Sequence, residues 1–161
     1  MNGAATQAQA GNGNQPSAPA LSPHIVVKGA SRAIDFYRAS FGATEVFRLR
    51  DPGSDRIGHA ELEIQGCRLL LADEYPDFGA LSPVTIGGSP VTLHLYVEDV
   101  DAVVERAVKA GATLLRPLKD EFYGDRTAML ADPFGHRWQV ATKREDVSPE
   151  EMQKRWNAGS A

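Results

Sequence analysis

Apolar residues recur along this chain at the spacing typical of helices in two places. The clearer of the two stripes consists of Val100, Val103, Val104, Ala107 and Val108. Asp99 precedes it and Gly111 follows it, and both are residue types that cap helices. The other stripe consists of Ile34, Tyr37 and Phe41. Ser31 is the expected N-cap of this helix and Gly42 its end, so the pattern predicts one amphipathic helix in each half of the chain.

The sequences around the two helices repeat each other. His24–Val27 precedes the first helix as His94–Val97 precedes the second, and Gly42-Ala43-Thr44 corresponds to Gly111-Ala112-Thr113. After each helix the pattern alternates as it does in strands. Asp132-Pro133-Phe134-Gly135 has the residues of a type I hairpin turn. Each half therefore has the order strand, helix, strand, strand, strand, which predicts an α+β fold of two βαβββ modules.

Two segments of distinctive composition divide the chain. Residues 1–20 contain no aromatic or large aliphatic residue after Met1, and we expect them to be disordered. The folded domain is predicted to consist of module 1 (21–74), a linker rich in Gly, Pro and Ser (75–89) and module 2 (90–143), hence residues 21–143 in all.

Residues 144–161 are predicted to form a short C-terminal helix and tail. Ser148-Pro149-Glu150-Glu151 has an N-cap serine, a proline at the first helical position and a capping-box glutamate. Met152 and Trp156 lie four residues apart on this helix, so both can face the same neighbour. That neighbour is either the chain's own domain or a second subunit.

Alternation along the predicted strands sorts their side chains onto two faces of a sheet. The apolar face, expected beneath the helices, consists of Ile25, Val27, Leu69, Leu71, Leu93, Leu95, Val97, Trp138 and Val140. The opposite face consists of His24, Val26, Arg68, Leu70, Thr92, His94, Tyr96, Arg137 and Gln139. This mixture of polar and apolar groups suits a ligand cavity, and it suits a solvated outer surface equally well, because alternation does not say what a face meets.

Charge and composition exclude several kinds of partner. The net charge is −4, the pI is near 5.5, and no cluster of Lys and Arg is present, which argues against nucleic acid. No apolar run approaches the roughly 18 residues that a membrane helix needs, and no signal peptide is recognisable. The single cysteine, Cys67, cannot form an intramolecular disulfide, so a reducing, cytoplasmic location is expected.

Three stretches resemble the vicinal oxygen chelate superfamily, which includes glyoxalases, bleomycin-resistance proteins and dioxygenases. They are Ala33–Tyr37, Leu71–Glu74 and Asp132–Trp138, and they are most similar to its PhnB-like branch. The resemblance implies that the two modules form a cupped mixed sheet and that the protein is a homodimer. Enzymes of this superfamily chelate substrate oxygens on a divalent metal, so the resemblance also implies a metal-dependent activity.

The same resemblance implies where such a metal would bind. Metal-dependent members place ligands on the first and last strand of each module, which here are His24, Leu70, His94 and Gln139. Imidazole is a good ligand for Zn, Ni, Fe or Mn, whereas leucine cannot ligate and a neutral amide brings no compensating charge. A weakened metal site at His24, His94 and Gln139 is one interpretation. The other, which we favour, is that no cofactor is bound and the histidines are hydrogen-bonded to neighbours or water.

Further side chains have both a functional and a structural interpretation. One set, formed by His59, Glu61 and Glu63, is either a ligand or acid–base set or a polar strand surface, and the second interpretation is favoured. Cys67 has no adjacent histidine and is expected to be structural. His136 follows the hairpin turn and is expected to be exposed. Phe122 and Tyr123 precede Gly124, where their rings would either cover a planar ligand or pack beneath the loop.

The leading hypothesis is a metal-poor protein that binds or sequesters a small, partly aromatic molecule. The expected ligand contacts are His24, Leu70, His94, Tyr96, Arg137 and Gln139. Tyr96 would stack on the ligand, and Arg137 would pair with an anionic or carbonyl oxygen. The alternative is a metal-dependent, glyoxalase-like lyase or isomerase, or a dioxygenase-like enzyme, although neither Leu70 nor Gln139 can serve as the glutamate base of glyoxalases. A third hypothesis is a purely structural homodimer.

Overall fold

The secondary structure follows the predicted repeat. The computed structural model describes residues 21–159, so the tail predicted over residues 1–20 lies outside the described part. Module 1 consists of β1 (His24–Val27), α1 (Ala30–Phe41), β2 (Thr44–Arg50), β3 (Ile57–Ile64) and β4 (Cys67–Asp73). A short helix, α2 (Pro83–Ile86), lies in the connecting segment. Module 2 consists of β5 (Thr92–Tyr96), α3 (Val100–Lys109), β6 (Thr113–Asp120), β7 (Asp125–Ala131) and β8 (Arg137–Lys143), and α4 (Pro149–Gly159) follows it.

Each module forms one four-stranded mixed sheet. The strand order is β1-β4-β3-β2 in module 1 and β5-β8-β7-β6 in module 2. The first and last strand of each module pair in parallel, and the remaining pairs are antiparallel. The α+β prediction of two βαβββ modules is therefore confirmed. No helix within residues 21–159 is long and apolar enough to cross a membrane.

The first helix begins differently from the sequence-based expectation. The prediction that Ser31 is the N-cap is wrong, because α1 begins at Ala30 after Gly29, which has a left-handed φ of 99°. The Asp73 carboxylate at the end of β4 accepts hydrogen bonds from Gly29 N and Ala30 N, both at 2.8 Å. A side chain distant in sequence thus satisfies two amides at the start of the helix that have no partner within it. The Ser31 hydroxyl instead accepts from Arg48 Nη1 at 3.3 Å.

The second helix has the predicted local cap and a second one from the sheet. Asp99 Oδ1 accepts from Ala102 N at 3.0 Å, as an N-cap does. Thr142 Oγ1 on β8 accepts from Val100 N at 2.8 Å, in the way that Asp73 on β4 binds the start of α1. The predicted stripe of α3 is buried except for Val108, which is 45% exposed.

One hydrophobic core spans both modules. All nine residues of the predicted apolar face are buried except Leu93, which is half-buried and packs against the core. Helix α1 meets module 2 through aromatic contacts, with ring centroids 6.2 Å apart for Phe36 and Phe134 and 4.7 Å apart for Phe41 and Trp138. The Tyr37 hydroxyl donates to Asp132 Oδ2 at 2.7 Å. The modules are therefore joined through side chains of their cores.

The predicted hairpin turn at Asp132–Gly135 is confirmed, because Gly135 N donates to Asp132 O at 3.1 Å. The expectation that His136 is exposed is wrong. His136 is buried, and its Nε2 lies 2.9 Å from the carbonyl oxygen of Val26 in module 1. The turn packs against the other module, and local sequence pattern carries no information about that contact.

The connecting segment and the C-terminal helix are both ordered by hydrogen bonds. Within residues 75–89, Tyr75 N donates to Ala80 O at 2.9 Å, and Glu74 Oε1 accepts from Ser82 N at 2.7 Å just before α2. Helix α4 has its predicted N-cap, since Ser148 Oγ accepts from Glu151 N at 3.2 Å. It lies on the chain's own domain, where Arg155 Nη1 donates to Phe122 O at 3.0 Å.

Candidate functional site

The strand registers place four of the six predicted ligand positions in two rows across the sheets, on the face opposite the core. In module 1, consecutive partners are His24, Leu70, Glu61 and Phe47, which we name the module 1 row. In module 2, the corresponding partners are His94, Gln139, Met129 and Arg116, the module 2 row. The structure thus sets His24 beside Leu70 and His94 beside Gln139, as the repeat implies.

The polar groups of the module 1 row, His24 and Glu61, contact side chains next to the row. His24 and His59 stack with ring centroids 6.0 Å apart, and His59 Nε2 lies 3.5 Å from Glu61 Oε1. Arg68 Nη1 donates to Glu61 Oε2. Partial burial, together with the neighbouring His59 imidazole, lowers the pKa of His24. Glu61 is therefore engaged in an ion pair, and the neighbouring Glu63 is exposed, which agrees with a polar strand surface.

The polar groups around the module 2 row are held in place by hydrogen bonds and retain donors and acceptors for a further partner. The Tyr96 hydroxyl donates to Asp125 Oδ2 at 2.7 Å, and the His94 and Tyr96 rings lie 4.7 Å apart. This hydrogen bond, with partial burial, raises the pKa of Tyr96, so its hydroxyl stays protonated. Gln139 Nε2 donates to the Tyr123 hydroxyl at 3.2 Å. Within residues 21–159 the Tyr123 O–H and the side-chain oxygen of Gln139 make no further hydrogen bond, so both can bind another molecule.

A cavity of about 470 Å³ opens over this sheet. Its lining residues are Arg116, Pro117, Lys119, Glu121, Phe122, Tyr123, Thr127, Ala128, Met129, Gln139 and Trp156. Phe122 meets Tyr123 edge to face at 5.1 Å and Trp156 at 5.4 Å, so one wall is a continuous aromatic surface. Trp156 comes from α4, which closes this side of the cavity.

Other predicted site residues lie elsewhere. His24 lines a groove of about 330 Å³ between the modules, and His94 lines a different one of about 350 Å³ together with the exposed Cys67. Tyr96, 53% exposed, also lines the second groove. Arg137 is exposed at the start of β8, outside the 470 Å³ cavity. A single chain therefore does not gather the six expected contacts in one cavity.

The side chains present do not fit the metal that the resemblance implies. Leu70 has no donor atom, and the neutral amide of Gln139 brings no charge to offset that of a divalent cation. His24 and His94 lie on different sheets. Within the described range of 21–159, no group of three or more His, Cys, Asp or Glu side chains is placed to hold a metal ion.

The sequence pattern did not reveal Arg116 and Met129 as site residues. Strand β6 shifts register on both sides of Arg116, and strict alternation fails where a strand bulges. A signal was nonetheless present in the repeat. Thr44 and Thr113 begin equivalent strands, so that Phe47 and Arg116, each three residues later, occupy equivalent positions.

Comparison with known proteins agrees with this architecture. Residues 20–140 match the family described as the Glyoxalase/Bleomycin resistance protein/Dioxygenase superfamily. An uncharacterised protein of Mycobacterium tuberculosis is 45% identical over 139 residues, which are 84% of this chain and 81% of that protein.

Solved structures share the fold. TioX from Micromonospora sp. ML1 has a TM-score of 0.59 at 26% identity, over 76% of this chain and 97% of that one. A PhnB protein of Bacillus cereus has a TM-score of 0.59 at 17% identity, over 76% and 98% of the two chains. With the family match covering most of the sequence, this chain belongs to the glyoxalase, bleomycin resistance protein and dioxygenase superfamily.

Proposed function

We propose that this protein is a cytoplasmic member of the PhnB-like branch that binds or sequesters a small, partly aromatic molecule in the cavity over the module 2 sheet. The observation that carries the proposal is the pairing of an aromatic wall with oriented polar atoms in one cavity of about 470 Å³. Ligand sites typically combine mostly apolar lining with a few fixed polar groups. The PhnB-like assignment rests on the sequence motifs, and the location on the single cysteine.

The aromatic wall favours a planar ligand. Phe122, Tyr123 and Trp156 present ring faces and edges, and Met129 on the floor has a polarisable side chain that adapts to varied shapes. The Tyr123 hydroxyl can donate to a ligand oxygen while it accepts from Gln139. A flat molecule with a carbonyl or similar acceptor matches both properties.

A metal-free site is part of the proposal, because the donor set lacks a carboxylate at both last-strand positions. Metal analysis of protein purified without an affinity tag tests this part. We expect less than stoichiometric Zn, Ni, Fe or Mn. If each chain instead binds one metal tightly and His94→Ala removes it, the binding-protein hypothesis is wrong and the metal-dependent lyase is favoured.

The binding proposal is tested with N-phenylnaphthylamine, a neutral aromatic dye whose fluorescence rises in apolar surroundings. We expect saturable binding to the wild type and its loss in Met129→Trp, since the larger ring occupies the cavity from a half-buried position. Val108→Trp is the matched control, because it adds the same ring at a partly exposed position on α3, outside the cavity. Equal binding by all three proteins, or by none, would contradict a ligand site here.

We also propose that the protein is a homodimer. The outer strands of both sheets carry exposed apolar side chains, namely Val46 and Leu49 on β2 and Leu114 and Leu115 on β6. Exposed apolar surface of this kind is typical of protein interfaces. A structural homodimer without a ligand is the outcome if the cavity binds nothing.

A further inference from the structure

We propose that the ligand of the module 2 cavity is an aromatic acid, whose anionic group is bound by Arg116. This inference rests on the proposed binding function and specifies the class of ligand. It assigns a binding role to Arg116.

The charges in the cavity leave one cation uncompensated. The charged lining residues are Arg116, Lys119 and Glu121. Lys119 Nζ lies 3.4 Å from Glu121 Oε2, so these two charges offset each other. The Arg116 guanidinium makes no ion pair or hydrogen bond with any side chain in residues 21–159. The cavity is therefore locally positive in a protein whose net charge is −4.

The backbone of β6 is irregular around Arg116. The β6–β7 register shifts between Leu114 and Arg116 and again between Arg116 and Lys119. Such irregularities bend a strand and re-aim side chains, and they are frequent beside functional sites. The equivalent shift in module 1 lies between Glu45 and Phe47. The same backbone feature thus carries an aromatic residue in module 1 and a guanidinium in module 2.

Position and chemistry together define the ligand. Arg116 ends the row that begins with His94, and it lines the same cavity as Tyr123 and Trp156. A planar molecule lying against the aromatic wall would place one end at this guanidinium. Arginine binds carboxylate, sulfonate or phosphate oxygens with two parallel N–H donors, which neutral ligands cannot match.

Two dyes with the same aromatic skeleton test the inference. Anilinonaphthalenesulfonate differs from N-phenylnaphthylamine by one sulfonate group, so the pair isolates the contribution of the anion. We expect Arg116→Ala to weaken binding of the sulfonate by about fivefold, since the guanidinium is exposed, and to leave the neutral dye unchanged within about twofold. Raising the salt concentration should weaken binding of the sulfonate dye but not of the neutral dye, because salt screens the attraction between charges.

Two variants complete the test. Arg106→Ala removes the same charge from the exposed side of α3, outside the cavity, and should leave both dyes unaffected. Arg116→Lys should retain part of the preference, because the cation remains while the fork geometry is lost. If both dyes bind and Arg116→Ala changes neither, the aromatic-acid assignment is overturned while the binding function stands. If neither dye binds the wild type, both proposals fail.

Discussion

Asp132 is a buried carboxylate whose hydrogen bonds join the two modules. Its Oδ2 accepts from Tyr37 Oη at 2.7 Å and from Trp138 Nε1 at 2.9 Å. Its Oδ1 accepts from the backbone nitrogens of Phe134 and His136, each at 2.9 Å. Burial, with the adjacent carboxylate, raises the pKa of Tyr37 well above its ordinary value, so the hydroxyl remains a donor. A buried charge with four donors is costly to disturb.

Replacing this carboxylate should cost more than removing one of its donors. Asp132→Asn puts an amide donor among four donors, and we expect a loss of about 2–4 kcal/mol in the free energy of unfolding. Tyr37→Phe removes one hydrogen bond and should cost about 1–2 kcal/mol. Denaturant unfolding measures both. Asp35→Asn, at an exposed carboxylate on α1, should change stability by less than about 0.5 kcal/mol. Equal effects at Asp132 and Asp35 would contradict this role.

At the level of elements, each module secures the start of its helix with the end of its last strand. Asp73 on β4 binds the first amides of α1, and Thr142 on β8 binds the first amide of α3. Thr142 Oγ1 also donates to Val97 O at 2.9 Å, so one hydroxyl satisfies two backbone groups. Helix and sheet are therefore linked at the same point in both halves, with different side chains.

Thr142→Val tests this link with little change of shape. The substitution leaves a buried N–H and a carbonyl without their hydroxyl partner, and we expect a loss of about 1–2 kcal/mol in stability. Thr113→Val, at the exposed start of β6, is the matched control and should be nearly neutral. Thermal or denaturant unfolding distinguishes the two. A neutral Thr142→Val would mean that Asp99 alone caps α3.

The contact between Glu74 and the connecting segment should make the stability of the fold fall at acid pH. The neighbouring Ser82 and Thr85 side chains, together with the Ser82 N–H, which donates to the Glu74 carboxylate, lower the pKa of Glu74 from 4.5 to about 2, because they stabilise its ionised form. The stabilisation is therefore complete above pH 4.5 and is lost as the pH falls toward about 2. Glu74→Gln should flatten this part of the stability–pH curve. Glu63→Gln, at an exposed carboxylate, should leave the slope unchanged, and an equal effect of both variants would exclude this origin.

For the molecule as a whole, the repeat predicted most of the fold because its signals are local. Helix stripes, strand alternation and the Asp132–Gly135 turn each depend on neighbours in sequence. Contacts between modules do not, which is why His136 was expected at the surface and is buried against Val26. The candidate site was predicted in part for the same reason. Strand alternation predicted that Gln139 faces the cavity. It did not predict the position of Arg116, because the strand is bulged on both sides of that residue.

The oligomeric state is a prediction at this same scale. The exposed apolar side chains on β2 and β6 lead us to expect a homodimer in solution. Light scattering at micromolar protein concentration should give twice the mass of one chain. Leu49→Lys places a charge on β2 and should shift the population toward monomer, whereas Val108→Lys on α3 should not. A wild-type monomer would contradict the prediction.

The hydrogen bond between Tyr37 and Asp132 joins residues 95 positions apart, and this separation bears on how the chain folds. Closing so long a loop costs entropy before the contact is gained, so formation of the contact should come late and slow folding. The aromatic residues of α1 pack against one another and against Phe134 and Trp138 in the other half. Each half alone would expose that surface, so the two repeats should unfold in one cooperative transition. The two repeats thus form a single folding unit, and we expect that neither half folds alone.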